Sequence, residues 1–138
     1  MTTTRPPLLG IRHVALFTAD LEVAERFWID VMGYVIEWRP DPDNVYLTTG
    51  TDNLALHRRK AGTTTFPPAE QRLDHIGLVV RTEDEVDAWA LHLEASGVTP
   101  KAAPRTHRDG SRSLYFHAPD GSAEGPLVQI IYHRPLSQ

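Results

Sequence analysis

The order of apolar, helical and turn-forming segments repeats once along this chain, and the repeat limits the folds open to it. Each half begins with an apolar strand that carries a histidine near its start, His13 in the first half and His75 in the second. In both halves, a predicted helix that ends at a glycine comes next, followed by three short predicted strands. Both halves therefore have the order βαβββ, with the two histidines at equivalent positions.

Helix caps and turn residues give the bounds of the predicted elements. The first helix is predicted between an N-cap at Asp20 and Gly33, because glycine adopts the left-handed conformation that ends many helices. The second is predicted between Thr82, which forms a capping box with Glu85, and Gly97. The strands are predicted at 11–18, 34–39, 44–49 and 53–58, and then at 73–80, 98–103, 112–117 and 127–132.

One domain accounts for all 138 residues, a length that buries a substantial core without disulfides or structural metals. We divide it into a first module at 8–59, a linker at 60–72 that contains a threonine run and paired prolines, and a second module at 73–134. The predicted fold class is α+β, with two βαβββ modules forming a curved eight-stranded cup.

The composition excludes several classes of function. A net charge of −4 argues against binding to nucleic acid or to an anionic membrane. The chain has no cysteine, which excludes disulfides and thiolate metal sites. No segment approaches the ~20 apolar residues of a membrane span, and the first residues lack the apolar core of a secretory signal. We expect a cytoplasmic protein whose partner is a small molecule.

Alternation along the strands predicts which side chains face the inside of the cup. In the first strand one face is aliphatic and suits packing against the helix, which leaves His13 on the opposite, concave face. The same parity places Ala55, His57, His75 and Gln129 on that face. By the pseudo-twofold symmetry of the repeat, positions 13, 55, 75 and 129 are expected to converge.

Two histidines at equivalent positions of a repeat are a candidate metal site, since imidazole nitrogen is a common ligand of divalent metals. The alternative interpretation is that each is an ordinary strand histidine with a structural role. His92 on the second helix and His133 after the last strand are expected to be solvated.

The second half also contains a recognisable run of residues. His107 is followed, after six residues, by Leu114-Tyr115-x-x-Ala118-Pro119-x-Gly121. This run resembles the signature of type I extradiol ring-cleaving dioxygenases. These enzymes belong to the vicinal oxygen chelate superfamily, together with glyoxalase I and the bleomycin-resistance proteins. The resemblance covers about 11–133 and includes the opening of the second module, Leu73-Asp74-His75-Ile76-Gly77.

The resemblance implies a metal centre. By this likeness His13 and His75 hold iron(II) or manganese(II), with zinc and nickel as alternatives. The third ligand of the family is a glutamate on the last strand, where this chain has Gln129. Glu124 is the competing candidate, but its segment is predicted to be an extended turn, so we favour Gln129.

The resemblance also implies contacts with the substrate. Tyr115 and His107 are expected to contact the substrate as catalytic residues. The ring-cleaving members use a further histidine near the start of the first module's fourth strand, where this chain has Asp52. We interpret Asp52 as a substrate-binding candidate and His57, on the same strand, as a partial replacement for that histidine.

Two functions remain open at this stage. One is a metal-dependent enzyme acting on a small substrate with vicinal oxygens, most like the extradiol dioxygenases, with a glyoxalase-like lyase or isomerase as the other branch. The second is a metal-free sequestering protein of the bleomycin-resistance kind, whose ligand stacks on aromatic residues such as Trp38, Tyr46, Phe66 and Tyr115. Sequestering members usually lack the paired histidines, and a degenerate accessory subunit is a weaker third alternative.

Small members of the superfamily commonly dimerise, so we expect a homodimer.

Overall fold

A computed structural model describes residue 9 and residues 11–59 and 73–137. The predicted linker at 60–72 and Phe66 lie outside the described residues. Neither α-helix in this part of the chain has the length and apolar character needed to cross a membrane.

Both modules have the predicted order of elements. The first module contains β1 (His13–Thr18), α1 (Leu21–Arg26), a π-helical turn (Phe27–Val31), β2 (Val35–Asp41), β3 (Asn44–Thr48) and β4 (Asn53–Arg58). The second module contains β5 (Ile76–Val79), α2 (Glu83–Ala95), β6 (Arg105–Thr106), β7 (Arg112–His117) and β8 (Leu127–Tyr132). The predicted α+β fold of two βαβββ modules is confirmed.

The eight strands are divided between two four-stranded sheets of identical topology. The strand order is β1-β4-β3-β2 in the first sheet and β5-β8-β7-β6 in the second. In each sheet the first strand is parallel to the last strand of its module, and the other pairs are antiparallel. The two histidine-bearing segments therefore lead into edge strands, one in each sheet.

The caps of both helices are as predicted. The Asp20 side chain accepts a hydrogen bond from the backbone N–H of Val23 at 3.0 Å, and Thr82 accepts one from Glu85 at 3.2 Å. The helical segments are followed by Gly33 and Gly97, both with positive φ. The π-helical turn was not predicted, and both Phe27 and Trp28 at its start are buried in the core.

The predicted strand at 98–103 is wrong. This segment has no regular structure, and the strand that pairs with β7 is the two-residue β6 at Arg105–Thr106. Pro100 and Pro104 explain the difference, because proline has no N–H to donate to a neighbouring strand. One backbone hydrogen bond joins this segment to β7, with Lys101 N donating to Tyr115 O at 2.8 Å.

Burial follows the predicted alternation of strand faces on β1, whereas β4 and β8 are buried on both faces at their centres. Side chains predicted to face the helices form the core, among them Leu16, Leu54, Leu56, Val128 and Ile130. On β1 their neighbours His13, Ala15 and Phe17 are exposed on the opposite face. The concave face of each sheet is therefore the face that carries the candidate site residues.

The two modules contact each other on the helix side. Asp20 N donates to Asp120 O at 2.7 Å, so the start of α1 is bonded to the loop between β7 and β8. The rings of Phe27 and Phe116 pack with their centroids 6.0 Å apart. One core is thus shared by both modules.

His92 has a contact that its sequence position did not predict. It is exposed, as expected, but its Nε2 lies 2.8 Å from Val31 O in the other module. The bond gives the Val31 carbonyl a hydrogen-bond donor. Carbonyl groups at the end of a helix have no donor within the helix. His133 is half-buried rather than fully solvated.

Candidate functional site

His13 is held by hydrogen bonds on the concave face of the first module. Its Nδ1 lies 2.7 Å from Asn53 Oδ1, and Asn53 Nδ2 donates to Glu37 Oε2 at 3.0 Å. Because the amide nitrogen of Asn53 is used by Glu37, its oxygen faces the imidazole and accepts a proton from Nδ1. The Nε2 atom of His13 is therefore left with a lone pair.

His75 is held in the equivalent way in the second module. Its Nδ1 lies 2.6 Å from Asp74 Oδ2. An ionised carboxylate only accepts hydrogen bonds, so Nδ1 is the protonated nitrogen and Nε2 carries the lone pair. The ring also packs edge-on against Tyr115, with centroids 5.2 Å apart. This orientation, with Nδ1–H donated to an oxygen, is typical of metal-ligating histidines.

Gln129 lies beside His75 on the same sheet face. It is buried on β8, between Gly77 on β5 and Tyr115 on β7. Its Nε2 donates to Tyr115 Oη at 2.9 Å. Its Oε1 points over β5, since a Cβ added at Gly77 would lie 3.5 Å from it. No described residue donates to Oε1.

The two histidines meet at one cavity. A space of about 390 Å³ between β1 and β5 is lined by residues of both modules, including His13, Asn53, His75 and Gly77. Gln129 lies one strand away on β8.

The side-chain donors at this site suit a divalent metal, but there are only three of them. They are two imidazole nitrogens and one amide oxygen, all neutral. Within the described ranges, no three histidine or acidic side chains converge tightly enough to form a metal cluster. An ion bound by this set would therefore retain open coordination positions, as catalytic metal sites do.

A second cavity, of about 440 Å³, lies in the second module. It is lined by the predicted residues His107 and Tyr115, and also by Lys101, Arg105 and Ser113. His107 Nε2 lies 2.8 Å from Ser113 Oγ, which fixes the orientation of the ring. Neither Lys101 nor Arg105 has an ion-pair partner in the part of the chain that the structure describes. Asp74 lines the cavity as well, so its charged lining consists of two cationic side chains and one carboxylate.

Asp52 lines the cavity between the modules, but both of its carboxyl oxygens are engaged. Oδ1 accepts from Thr49 N at 2.7 Å, and Oδ2 accepts from the buried hydroxyl of Tyr34 at 3.2 Å. Burial and the nearby Asp52 carboxylate raise the pKa of Tyr34. These contacts give Asp52 a structural role in the turn between β3 and β4.

Glu124 lies outside any strand, as its turn-like sequence predicted. Its nearest basic partner is His117, with Glu124 Oε1 3.7 Å from His117 Nε2. Gln129, in contrast, is within β8 and on the concave face.

Trp38 and Tyr46 stack on the concave face of the first sheet, with ring centroids 5.2 Å apart and planes at 22°. His57 lies on the same face, 6.2 Å from the Tyr46 ring. These predicted residues are thus assembled together, but in a different part of the sheet from His13.

Sequence reasoning missed the side chains that orient the two histidines and the side chains that give the second cavity its charge. Asp74 could have been found as the neighbour of His75, and Arg105 as the residue two before His107. Asn53 could not be found this way, because it meets His13 only through the pairing of β1 with β4.

Comparison with known proteins identifies the family of this chain. The family model described as the Glyoxalase/Bleomycin resistance protein/Dioxygenase superfamily matches residues 10–123. Glutathione transferase FosA of Serratia marcescens is 29% identical over 114 residues, covering 83% of this chain and 77% of FosA. The uncharacterized protein YaeR of Escherichia coli K12 is 27% identical over 126 residues, covering 83% and 92%.

A solved structure supports the same fold. Lactoylglutathione lyase from Agrobacterium tumefaciens superimposes with a TM-score of 0.76 at 22% identity, covering 96% of this chain and 100% of that chain. The family match extends over most of the sequence, from just before His13 to beyond Gly121. The chain therefore belongs to the glyoxalase, bleomycin resistance protein and dioxygenase superfamily.

Proposed function

We propose that this protein is a metal-dependent enzyme that acts on a small anionic substrate with adjacent oxygen atoms. The observation that carries the proposal is the matching orientation of His13 and His75. Each donates Nδ1–H to a side-chain oxygen and leaves Nε2 unprotonated, with both rings at one cavity between the modules. An oriented, unprotonated Nε2 at equivalent positions of both halves is what a metal ion shared between them would need.

In this proposal His13 Nε2, His75 Nε2 and Gln129 Oε1 hold the ion. A divalent ion bound there would polarise adjacent oxygens of a substrate and stabilise negative charge that develops on them. Because glutamine is neutral, the site keeps the full +2 charge, where a carboxylate ligand would reduce it to about +1. The expected cost is a lower affinity for the metal.

The residues of the second cavity orient the substrate. Tyr115 Oη accepts a hydrogen bond from Gln129 Nε2, so its own O–H remains available to donate to a substrate oxygen. Lys101 and Arg105 line the same cavity and attract an anionic substituent. The ring of His107 is held by Ser113 and contributes a further polar contact.

For the reaction itself, we favour a glutathione-linked addition or lyase reaction. Two similar proteins carry such names, a glutathione transferase and a lactoylglutathione lyase. Glutathione carries two carboxylates, and Lys101 and Arg105, which have no ion-pair partner among the described residues, are the cavity groups that would attract them beside the carboxylate of Asp74.

Ring cleavage by an extradiol dioxygenase is the second candidate. It is favoured by the presence of His107 and Tyr115 in one cavity, with Tyr115 packed against His75. Against it stand Gln129 in place of the family's glutamate and the structural engagement of Asp52.

Titration calorimetry with manganese(II) and nickel(II) tests the metal site. The unaltered protein should bind one ion per chain, and His13→Ala and His75→Ala should each weaken binding by at least ~10-fold. His117→Ala is the matched control and should bind as the unaltered protein does. Equal affinity in all four proteins would contradict the proposal, and a protein that binds no metal would point to the metal-free sequestering function.

Activity assays of the metal-loaded protein then distinguish the two candidate reactions. Consumption of glutathione thiol with an electrophile that carries a carboxylate or phosphonate supports the first candidate. Oxygen uptake with catechol and a yellow ring-opened product would instead establish the second.

A further inference from the structure

A second histidine of the first module is held in the same manner as His13. His57 Nδ1 lies 2.5 Å from Asn44 Oδ1, and Asn44 Nδ2 donates to both carboxyl oxygens of Asp41, at 2.8 and 3.0 Å. The chain Asp41–Asn44–His57 thus has the same chemical order, acid–amide–imidazole, as the chain Glu37–Asn53–His13.

This chain of bonds determines which nitrogen of His57 is protonated. Asp41 remains an acceptor because hydrogen bonds from the Asn44 side chain and the Asp43 backbone lower its pKa. The Asn44 amide nitrogen is therefore occupied by Asp41, and its oxygen accepts Nδ1–H of His57. His57 Nε2 keeps its lone pair, and no residue within 11–59 or 73–137 donates to it.

Aromatic rings surround this oriented acceptor. The Phe17 and Tyr46 rings lie 6.0 and 6.2 Å from the His57 ring, and Trp38 stacks on Tyr46. Phe17 is 63% exposed and Trp38 is 60% exposed, so their ring faces are open to solvent. Removing apolar surface from water is favourable, so a flat aromatic ligand gains by binding here.

This cluster is distinct from the candidate metal site. Phe17, the strand partner of His57, lies four residues beyond His13 on β1, which corresponds to about 13 Å at the usual rise of a strand. Metal–nitrogen bonds are about 2.0–2.1 Å long, so His57 and His13 cannot bind the same ion.

We propose that His57, Phe17, Tyr46 and Trp38 form a second ligand subsite, which binds an aromatic ring carrying an N–H or O–H donor. The ring packs on the exposed aromatic faces, and its donor bonds to His57 Nε2. This inference goes beyond the proposed metal-dependent reaction, and it applies equally to the metal-free protein.

Indole and 1-methylindole provide matched probes, because they share a ring system and differ in the N–H donor. The metal-free protein is titrated with each while its amide and side-chain NMR signals are followed. Indole should perturb signals of the four subsite residues. 1-Methylindole should bind about fivefold more weakly, the loss expected for one hydrogen bond. Equal affinities, or perturbations confined to other residues, would overturn the proposal.

His57→Phe separates the acceptor from the aromatic surface. This variant keeps a ring at position 57 but has no lone pair, so both probes should bind it with equal affinity. His117→Phe makes the same exchange in the second module and should keep the fivefold preference. Persistence of the preference in His57→Phe would overturn the assignment of Nε2 as the acceptor.

The tautomer of His57 can be measured without any substitution. Nitrogen-15 spectra of the unaltered protein should show Nδ1 protonated and Nε2 unprotonated at neutral pH, and the reverse pattern would contradict the inference. Because these tests use the metal-free protein, their outcome is independent of whether His13 and His75 bind metal.

Discussion

The ligand strength of His13 and His75 depends on the side chains that hold their Nδ1 atoms. His13 donates to a neutral amide, Asn53, whereas His75 donates to a carboxylate, Asp74. A carboxylate partner makes an imidazole a stronger donor to a metal. The Asp74 side chain is 87% exposed, so water screens much of this effect. We expect His75 to be only modestly the stronger ligand.

The identity of the third ligand is testable through Gln129. Gln129→Glu should tighten manganese(II) binding, because it adds a negative charge to a site that otherwise has neutral donors. Gln129→Ala should weaken binding by ~10-fold or more, by analogy with the loss of a supporting partner. Calorimetric titration measures both effects.

Glu124→Ala is the control for this series, since it removes the competing carboxylate. It should leave the metal affinity unchanged, because Glu124 lies by His117 outside β8. If Glu124→Ala alone abolished binding, the assignment of Gln129 would be wrong.

At the level of single residues, alternation and local motifs predicted much of the candidate site. Strand parity placed His13, His75 and Gln129 on one face, and on β1 the burial pattern alternates as that parity requires. The partners of these residues come from other strands, so their identity depends on register. Asn53 meets His13 because β1 and β4 pair in parallel, and sequence alone does not give that pairing.

β4 is the element that organises the first module. It lies between β1 and β3 and contributes one residue to each hydrogen-bond chain, Asn53 to that of His13 and His57 to that of Asn44. These two residues are four apart on one strand, so they share the concave face. A shift of one residue in the register of β4 would turn both away from it.

α1 is anchored to the end of β4 by an ion pair. Arg58 donates to both carboxyl oxygens of Glu22, at 3.0 and 2.6 Å, and also to Asp43 at 2.9 Å. Hydrogen bonding to Arg58 is the main cause that lowers the pKa of Glu22 to about 2.

The lowered pKa of Glu22 predicts a pH dependence of stability. The unfolded chain binds a proton at Glu22 near pH ~4.3, whereas the folded protein does so only near pH 2. The stabilisation is therefore present above about pH 4.3 and is lost as the pH falls towards 2. Glu22→Gln should reduce the fall in the free energy of unfolding across this range, measured by urea denaturation. Glu94→Gln, on an exposed position of α2, is the matched charge control and should change that slope less.

Element boundaries were predictable where local chemistry determines them. Asp20, Thr82, Gly33 and Gly97 act through backbone geometry within a few residues, and their roles are confirmed. The segment 98–103 is not a strand, because Pro100 within it and Pro104 just after it have no N–H to donate to a neighbouring strand.

At the scale of the whole molecule, the repeat predicted the two modules but not their placement. Sequence similarity between halves contains no information on which surfaces of the modules meet. The contacts depend on particular groups of each module, such as the backbone of Asp120 and the ring of Phe116. They bring β1 and β5 to one cavity, so the candidate metal site depends on how the modules pack.

Exposed apolar side chains on the concave faces are relevant to whether two chains associate. Phe17, Trp38 and Val79 leave large apolar side chains exposed on or beside these faces. The expectation of a homodimer, drawn from the superfamily, remains a prediction for this chain.

An anomalous difference map from crystals grown with manganese(II) tests the metal-site proposal most directly. We expect one peak per chain, about 2.0–2.2 Å from the Nε2 atoms of His13 and His75 and from Gln129 Oε1, whether these atoms come from one chain or from two. A map with no peak at these atoms, or with its peak between His117 and Glu124, would contradict the account.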